Sequence, residues 1–374
     1  MNAPALSLSR RLRKSPFEAR SHTGAKATSV YNHVVLPTAY VSLEDDYWHL
    51  REHVQIWDVA CQVQVEVKGR DALKLVEFLT PRDLSAMLPG QCVYAPLLDE
   101  RAGIVNDPII LCLAPDHFWL SISDSDVLLW VKGLALGAGF DVTVSDPDVF
   151  PLSLQGPKSE ALLDRLIGEP VGDIRFFRFI ETQIAGIPLI VARTGWSGQG
   201  GFELYLNEPS EGERLWDTIA AAGADLNLRP GCPNLIDRIE TGLLSHGNDM
   251  TLYNNPIEAG LDRFFKLGKS ADYLGREALE KIAQDGPAQR MVRVVVPGAP
   301  VANPRETYSM IVAESGTPGC MTSIAYSPRL HCNVGLGYVP SGNTRVGTAV
   351  EVAVAGTKRQ GQIASQDWTA ELEG

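Results

Sequence analysis

Apolar and polar residues alternate along Val63-Gln64-Val65-Glu66-Val67-Lys68, the period of a strand with one buried face. Asp71 then heads Ala72–Leu79, whose apolar spacing predicts a short helix with an acid at its start. Phe118–Ser123 reads as another strand, followed by a helix through Val127–Val131. Pro157 stands where a helix carrying Ala161–Ile167 begins. Strands Ile187–Ala192 and Phe202–Leu206 enclose a glycine-rich turn, and helical periods return at 211–222, 234–246 and 275–284. Beyond residue 287 the helical period fades. Met291–Val296 and Ala349–Val354 read as strands, and Pro297 closes the first because it has no N–H to give a ladder. Strands and helices mix without strict alternation, which predicts an α+β body at 29–286 and a β-rich domain at 287–374 rather than a doubly wound sheet.

The length of 374 residues suits two or three domains at roughly 150 residues each. Lys and Arg number 33 against 45 Asp and Glu, a net charge of −12, which argues against a general nucleic-acid binder. No apolar run approaches the ~18 residues of a membrane span. Six cysteines are scattered without a Cys-x-x-Cys pair, the pattern of free thiols in a reducing compartment. Arg10, Arg11, Arg13 and Lys14 make residues 1–28 a basic arm, expected to be mobile. Ser9-Arg10-Arg11 faintly echoes a twin-arginine signal, but no apolar run follows, so a cytoplasmic protein is expected.

Phosphate-loop, His-Glu-x-x-His and Gly-x-Ser-x-Gly motifs are all missing. His49 and His53 share a helix face, but nothing completes a metal set around them, so surface or packing roles are expected and no metal. The richest window is Arg193-Thr194-Gly195-Trp196-Ser197-Gly198-Gln199-Gly200-Gly201-Phe202-Glu203-Leu204-Tyr205. Its glycines let another molecule approach the backbone, and Glu203 and Tyr205 fall on one strand face. Aromatics flanking a carboxylate suit a flat heteroaromatic with paired N–H donors, or an organic cation. The competing reading is a hairpin with packed aromatics and a solvated Glu. A second window, Gly103-Ile104-Val105-Asn106-Asp107-Pro108, interrupts an apolar strand with a carboxylate, which marks either a functional residue or a structural turn.

Five segments in order resemble the folate-dependent aminomethyltransferase family. They are Gly103–Asp107, Gln155-Gly156-Pro157, Thr194–Glu203, Arg238-Ile239-Glu240-Thr241-Gly242 and Gly275–Leu279. The resemblance implies a three-lobed fold with a central folate channel, two interleaved α+β lobes and a C-terminal β-rich domain. The family's paired Asp-Asp stands here as Asn106-Asp107, and the hairpin's Tyr and Glu as Trp196 and Gln199, which favours methyl over aminomethyl transfer. The Lys-Gly-Cys-Tyr signature of an iron–sulfur assembly branch is absent. Segments such as Ser29–His33, His53–Ala60, Cys92–Pro96, Ser123–Val127 and Gly247–Met250 are similar to the sulfonium-demethylating members.

What this resemblance implies is methyl transfer from the sulfonium of dimethylsulfoniopropionate to N5 of tetrahydrofolate, the methyl-accepting cosubstrate. Glu203 is expected to accept the pterin N–H edge, and Asp107 to lie near N5 as orienting and charge-stabilising group, with Tyr94 beside the folate. Trp196, Tyr205 and Tyr31 are expected to wall the sulfonium, Ser121 to be a secondary wall residue, and Lys26, near Tyr31, to meet the substrate carboxylate. The expected partners are folate and a small methyl donor, with neither nucleic acid nor membrane, and a homo-oligomer is compatible. The alternatives are a demethylase of a methoxyaromatic acid or methylated amine, and a non-catalytic folate-binding protein.

Overall fold

The apolar runs become the central strands of two sheets and a barrel. The computed structural model describes residues 6–301, 308–354 and 357–365. Its chain divides into two units that interleave in sequence. One takes the residues up to 65 with 146–195 and 199–233, the other 66–145, 196–198 and those from 234 onward.

The first unit is built on a six-stranded sheet in the order Phe179–Ile184, Ile187–Ala192, Gly201–Leu206, Phe150–Gln155, Gln55–Asp58 and Arg229–Gly231. All neighbours are antiparallel except the last pair. Helices Ser159–Ile167 and Gly212–Ala222 bring Leu162, Leu163, Leu215, Trp216 and Ile219 into one core with Leu152, Leu154, Val191 and Leu204. Each such side chain, fully buried, contributes about 1.5–3 kcal/mol. A separate hairpin, Ala27–Tyr31 with Val34–Ala39, turns through Asn32 and His33, both at positive φ, and Asn32 Nδ2 donates to the Cys61 carbonyl at 3.0 Å.

The basic arm is not free over its described length. Phe17 is fully buried in the core of this unit, Arg13 pairs with Asp146, and Arg20 grips Asp217 through two hydrogen bonds of 2.7 and 2.9 Å. An apolar anchor between two paired arginines holds it down; residues 1–5 lie outside the described residues.

The second unit contains a five-stranded sheet ordered Thr143–Ser145, Gln64–Lys68, His117–Ser121, Ile109–Ala114 and Gln91–Tyr94, with helices Ala72–Phe78 and Val127–Ala138. Asn106 ends the short strand Ile104–Asn106, and Asp107-Pro108 forms the break before Ile109–Ala114 joins a different sheet. The helix expected over 234–246 is shorter. Asn234 caps it by accepting from the N–H groups of Ile236 and Asp237, and Gly242 in the left-handed region stops it after Thr241. From Gln289 the chain forms a closed six-stranded barrel, ordered Gln289–Val296, Cys332–Pro340, Pro318–Ser327, Tyr308–Val312, Ala349–Val354 and Thr357–Ala364. Val292, Val294, Met310, Ile324, Val350 and Val352 fill it. Among the described residues no helix is long and apolar enough to cross a membrane.

Candidate active site

Glu203 sits mid-strand in the centre of the six-stranded sheet, only 4% exposed. Its Oε2 accepts from the Thr194 hydroxyl at 2.5 Å and from the Tyr205 hydroxyl at 3.4 Å, and Gln62 donates to it as well. Burial raises its pKa above the usual glutamate value, and these three donors pull it back only in part. The reading of a solvated hairpin Glu is therefore excluded. Tyr205 has no exposed surface, so it does not wall a cation as expected; strand alternation places it beside Glu203, where its hydroxyl positions the carboxylate.

Asp107, in the second unit, is a second buried carboxylate. Its Oδ1 accepts from Ser123 Oγ at 2.7 Å and its Oδ2 from Tyr94 Oη at 3.0 Å. Burial raises its pKa, opposed by those hydroxyls and by His246. Tyr94 is held in turn by an edge contact with Phe264 at 4.8 Å, and burial together with the Asp107 charge pushes its own pKa up. Asn106 supplies the frame: its amide nitrogen donates to the Ser123 carbonyl at 3.1 Å and Ser125 Oγ at 2.9 Å, while its oxygen accepts from Ser123 N at 3.0 Å. An aspartate there accepts but cannot donate, so the amide is what fixes Ser123 over Asp107.

The hairpin tip, residues 196–198, groups with helix Leu235–Thr241. Gly198 N donates to Asp237 Oδ2 at 2.9 Å, and Arg238 lies over the Trp196 ring at 5.9 Å. A Cβ on Gly198 would stand 2.0 Å from Thr241 Cγ2, so only glycine allows this approach. Arg238 is itself buried against Asp249 at 2.5 Å and donates to Ser323 Oγ at 2.6 Å, which ties the helix to the barrel. Because the guanidinium occupies one face of Trp196, a ligand cation can use only the other.

Two family descriptions cover nearly the whole chain: the GCVT N-terminal domain matches residues 17–269 and the glycine cleavage T-protein C-terminal barrel domain residues 289–367. The chain belongs to the glycine cleavage T-protein family. Among its T-protein relatives, the dimethylsulfoniopropionate demethylase DmdA of Ruegeria pomeroyi is 46% identical over 345 residues, 92% of this chain and 94% of that one. An aminomethyltransferase of Desulfitobacterium hafniense is 27% identical over 359 residues, 94% of this chain and 96% of its own length. The crystal structure of aminomethyltransferase T of the glycine cleavage system from Bartonella henselae superposes with a TM-score of 0.84 at 25% identity, covering 96% of this chain and 98% of that one. The α+β T-protein fold with its terminal barrel is thus established for this chain.

The remaining T-protein candidates stand apart from these clusters or beside them. Tyr31 packs on Val34, Leu36 and Cys61 at the turn end of the first hairpin. Lys26 is at the other end, its Nζ donating to the Val41 carbonyl at 2.6 Å. Five extended steps along the strand Ala27–Tyr31 separate the two, a span of about 17 Å, so the expected proximity of Lys26 to Tyr31 fails. Ser121 ends its strand largely buried, and it is Ser123, two residues on, that reaches Asp107. The His49–His53 pair is packed: His49 Nε2 donates to the Asn227 carbonyl at 2.9 Å, and burial beside Arg229 lowers its pKa to about 4. His53 Nδ1 accepts from Lys158 at 2.8 Å. Among the described residues no three His, Cys, Asp or Glu side chains gather as a metal set. Sequence reasoning missed the roles of Ser123, Thr194, Gln62 and Asp237. Thr194 and Ser123 lay inside the quoted windows; Gln62 and Asp237 carried no local signal.

Proposed function

We propose that this chain is a tetrahydrofolate-dependent demethylase that transfers a methyl group from dimethylsulfoniopropionate to N5 of tetrahydrofolate, giving methylmercaptopropionate and 5-methyltetrahydrofolate. The observation that carries the reading is the 46% identity over 92% of the chain to a protein named for that demethylation. The two buried carboxylates support it. Glu203 is short of donors relative to its burial, and a pterin edge with adjacent N–H groups supplies the missing pair. Asp107, held rigid by Ser123 and Tyr94, orients the folate and faces the charge that develops at N5.

The chemistry asks for little else. The thioether leaves neutral, so no acid need protonate it, and the rate comes mainly from alignment, which contributes up to about 7–11 kcal/mol in well-oriented systems. Positive charge disperses as the methyl moves, and the free face of Trp196 holds the sulfonium by about 0.5–2 kcal/mol. Pairing of Arg238 with Asp249 keeps the opposite face near neutral and limits repulsion of that cation. The six cysteines are all free, in keeping with a cytoplasmic enzyme.

The test is an anaerobic incubation with tetrahydrofolate and dimethylsulfoniopropionate, read by mass spectrometry for both products. Glycine betaine, dimethylglycine and methoxybenzoates serve as the donor panel. Stoichiometric appearance of both products is expected. Methyl-folate formed only from another donor overturns the substrate, and its absence with every donor overturns the activity.

A further inference from the structure

His246 reaches the strand Ile104–Asn106 that leads directly into Asp107, and it bears electrostatically on that carboxylate. Its Nε2 donates to the Ile104 carbonyl at 3.3 Å, which leaves the lone pair of the neutral ring on Nδ1. That Nδ1 is buried and has no hydrogen-bond partner among the described residues. Buried polar atoms are paired in the great majority of cases, so an orphan acceptor next to a candidate site calls for a donor from outside the chain, a ligand or a water.

The loop that carries the ring is also held. Gly247 N donates to the Met250 carbonyl at 2.8 Å, Ser245 N to Asp249 Oδ2 at 3.0 Å, and Met250 is fully buried. The backbone of the short loop is therefore pinned on both sides of His246.

The reaction proposed above has a proton to place. The N5 lone pair forms the new C–N bond while the C–S pair returns to sulfur as a neutral thioether. N5 then carries both hydrogen and methyl, and the product is complete only when that hydrogen leaves as a proton. Around Asp107, the hydroxyls of Ser123 and Tyr94 already donate their protons to the carboxylate. Among the described residues around it, the buried acceptor that has no donor at all is His246 Nδ1.

We infer that His246 is a further catalytic residue: its Nδ1 accepts the hydrogen of N5–H in bound tetrahydrofolate and takes up that proton as the methyl arrives, later releasing it to solvent. This rests on the methyl-transfer reading, but its first consequence needs no donor. The charged groups tied to this segment are Asp107, which also accepts from Tyr94, and Asp249, which accepts from Ser245 N of the same loop and pairs with Arg238.

Nitrogen NMR on protein labelled in its imidazole rings tests the binding half. Tetrahydrofolate should move the His246 Nδ1 resonance upfield, as an acceptor does on gaining a donor. Folate already methylated on N5, which has no N5–H, should not. Equal shifts with both, or none with either, overturn the assignment. Single-turnover kinetics test the transfer half. His246→Ala and His246→Asn should bind tetrahydrofolate within a few-fold of wild type yet form methyl-folate about 10²-fold more slowly, with His246→Ala rescued by added imidazole. A wild-type rate, or a loss explained by weaker folate binding without imidazole rescue, removes the role. If the wild-type protein methylates folate from no donor while the NMR shift is present, it is the parent reading that fails.

Discussion

Thr194→Val isolates one hydroxyl at the heart of the proposed folate site. The substitution keeps the branched shape of a side chain that is 2% exposed and removes the donor 2.5 Å from Glu203 Oε2. A hydrogen bond to a charged group is worth about 1.5–3 kcal/mol, and one pKa unit corresponds to about 1.4 kcal/mol. The Glu203 pKa, already raised by burial, should therefore climb further when this donor is lost. Because the folded pKa exceeds the unfolded one, Glu203 holds its proton more tightly when folded. Its contribution to stability is thus full below the ordinary glutamate range and is lost as pH rises through the folded value. Folate binding works in the opposite sense. The pterin donors favour the carboxylate, so affinity should strengthen as pH rises through the Glu203 pKa, with a proton released on binding.

Anaerobic calorimetry of tetrahydrofolate binding across the acid and neutral range reads both affinity and proton release, the latter from buffers of different ionisation enthalpy. Wild type should show an acid limb, Thr194→Val the same limb displaced to higher pH, and Glu203→Gln none. Superimposable limbs in wild type and Thr194→Val would refute the reasoning, because the hydroxyl would then not be supporting the ionised form.

Arg238→Met leaves Asp249 buried without its cation and should cost about 3–5 kcal/mol, seen as a fall in the denaturant midpoint; an unchanged midpoint contradicts the buried-pair account. Gly198→Ala forces a methyl onto Thr241 Cγ2 and should raise the donor KM by displacing Trp196. Thr241→Ser, which removes that carbon but keeps the hydroxyl, should recover much of the loss in the double variant, and additive effects would disprove the contact. Five of the six free cysteines are buried and Cys320 only partly so, so a thiol reagent should label Cys320 first and the others only on unfolding. Rapid labelling of several would contradict the packing.

Patterning along the chain carried much of the architecture, because period is a local property. The alternation at Val63–Lys68, the runs Ile187–Ala192 and Phe202–Leu206, and the strands after residue 287 all appear as strands within a residue or two. Helix 234–246 was overextended because its apolar spacing continues past Gly242, whereas the left-handed conformation there ends the helix. Over its described residues 6–28 the arm is held rather than loose, because one buried aromatic, Phe17, outweighs the charges around it and its partners lie far along the chain.

Motif order by itself determined the family and singled out two carboxylates as candidates, since Glu203 and Asp107 lie in contiguous signatures. Only the tertiary structure decided what surrounds them. Thr194 reaches Glu203 across 9 positions, Ser123 reaches Asp107 across 16, and Asp237 reaches Gly198 across 39. Tyr205 was separated from the ligand walls by complete burial, and Lys26 from Tyr31 by the length of a strand. His246 is 139 positions from Asp107, and although the Gly247–Met250 segment after it stands out, nothing local links the ring to that carboxylate. Local periodicity encodes which face of an element is apolar; which polar group completes a buried carboxylate depends on distances that exist only once the chain has folded.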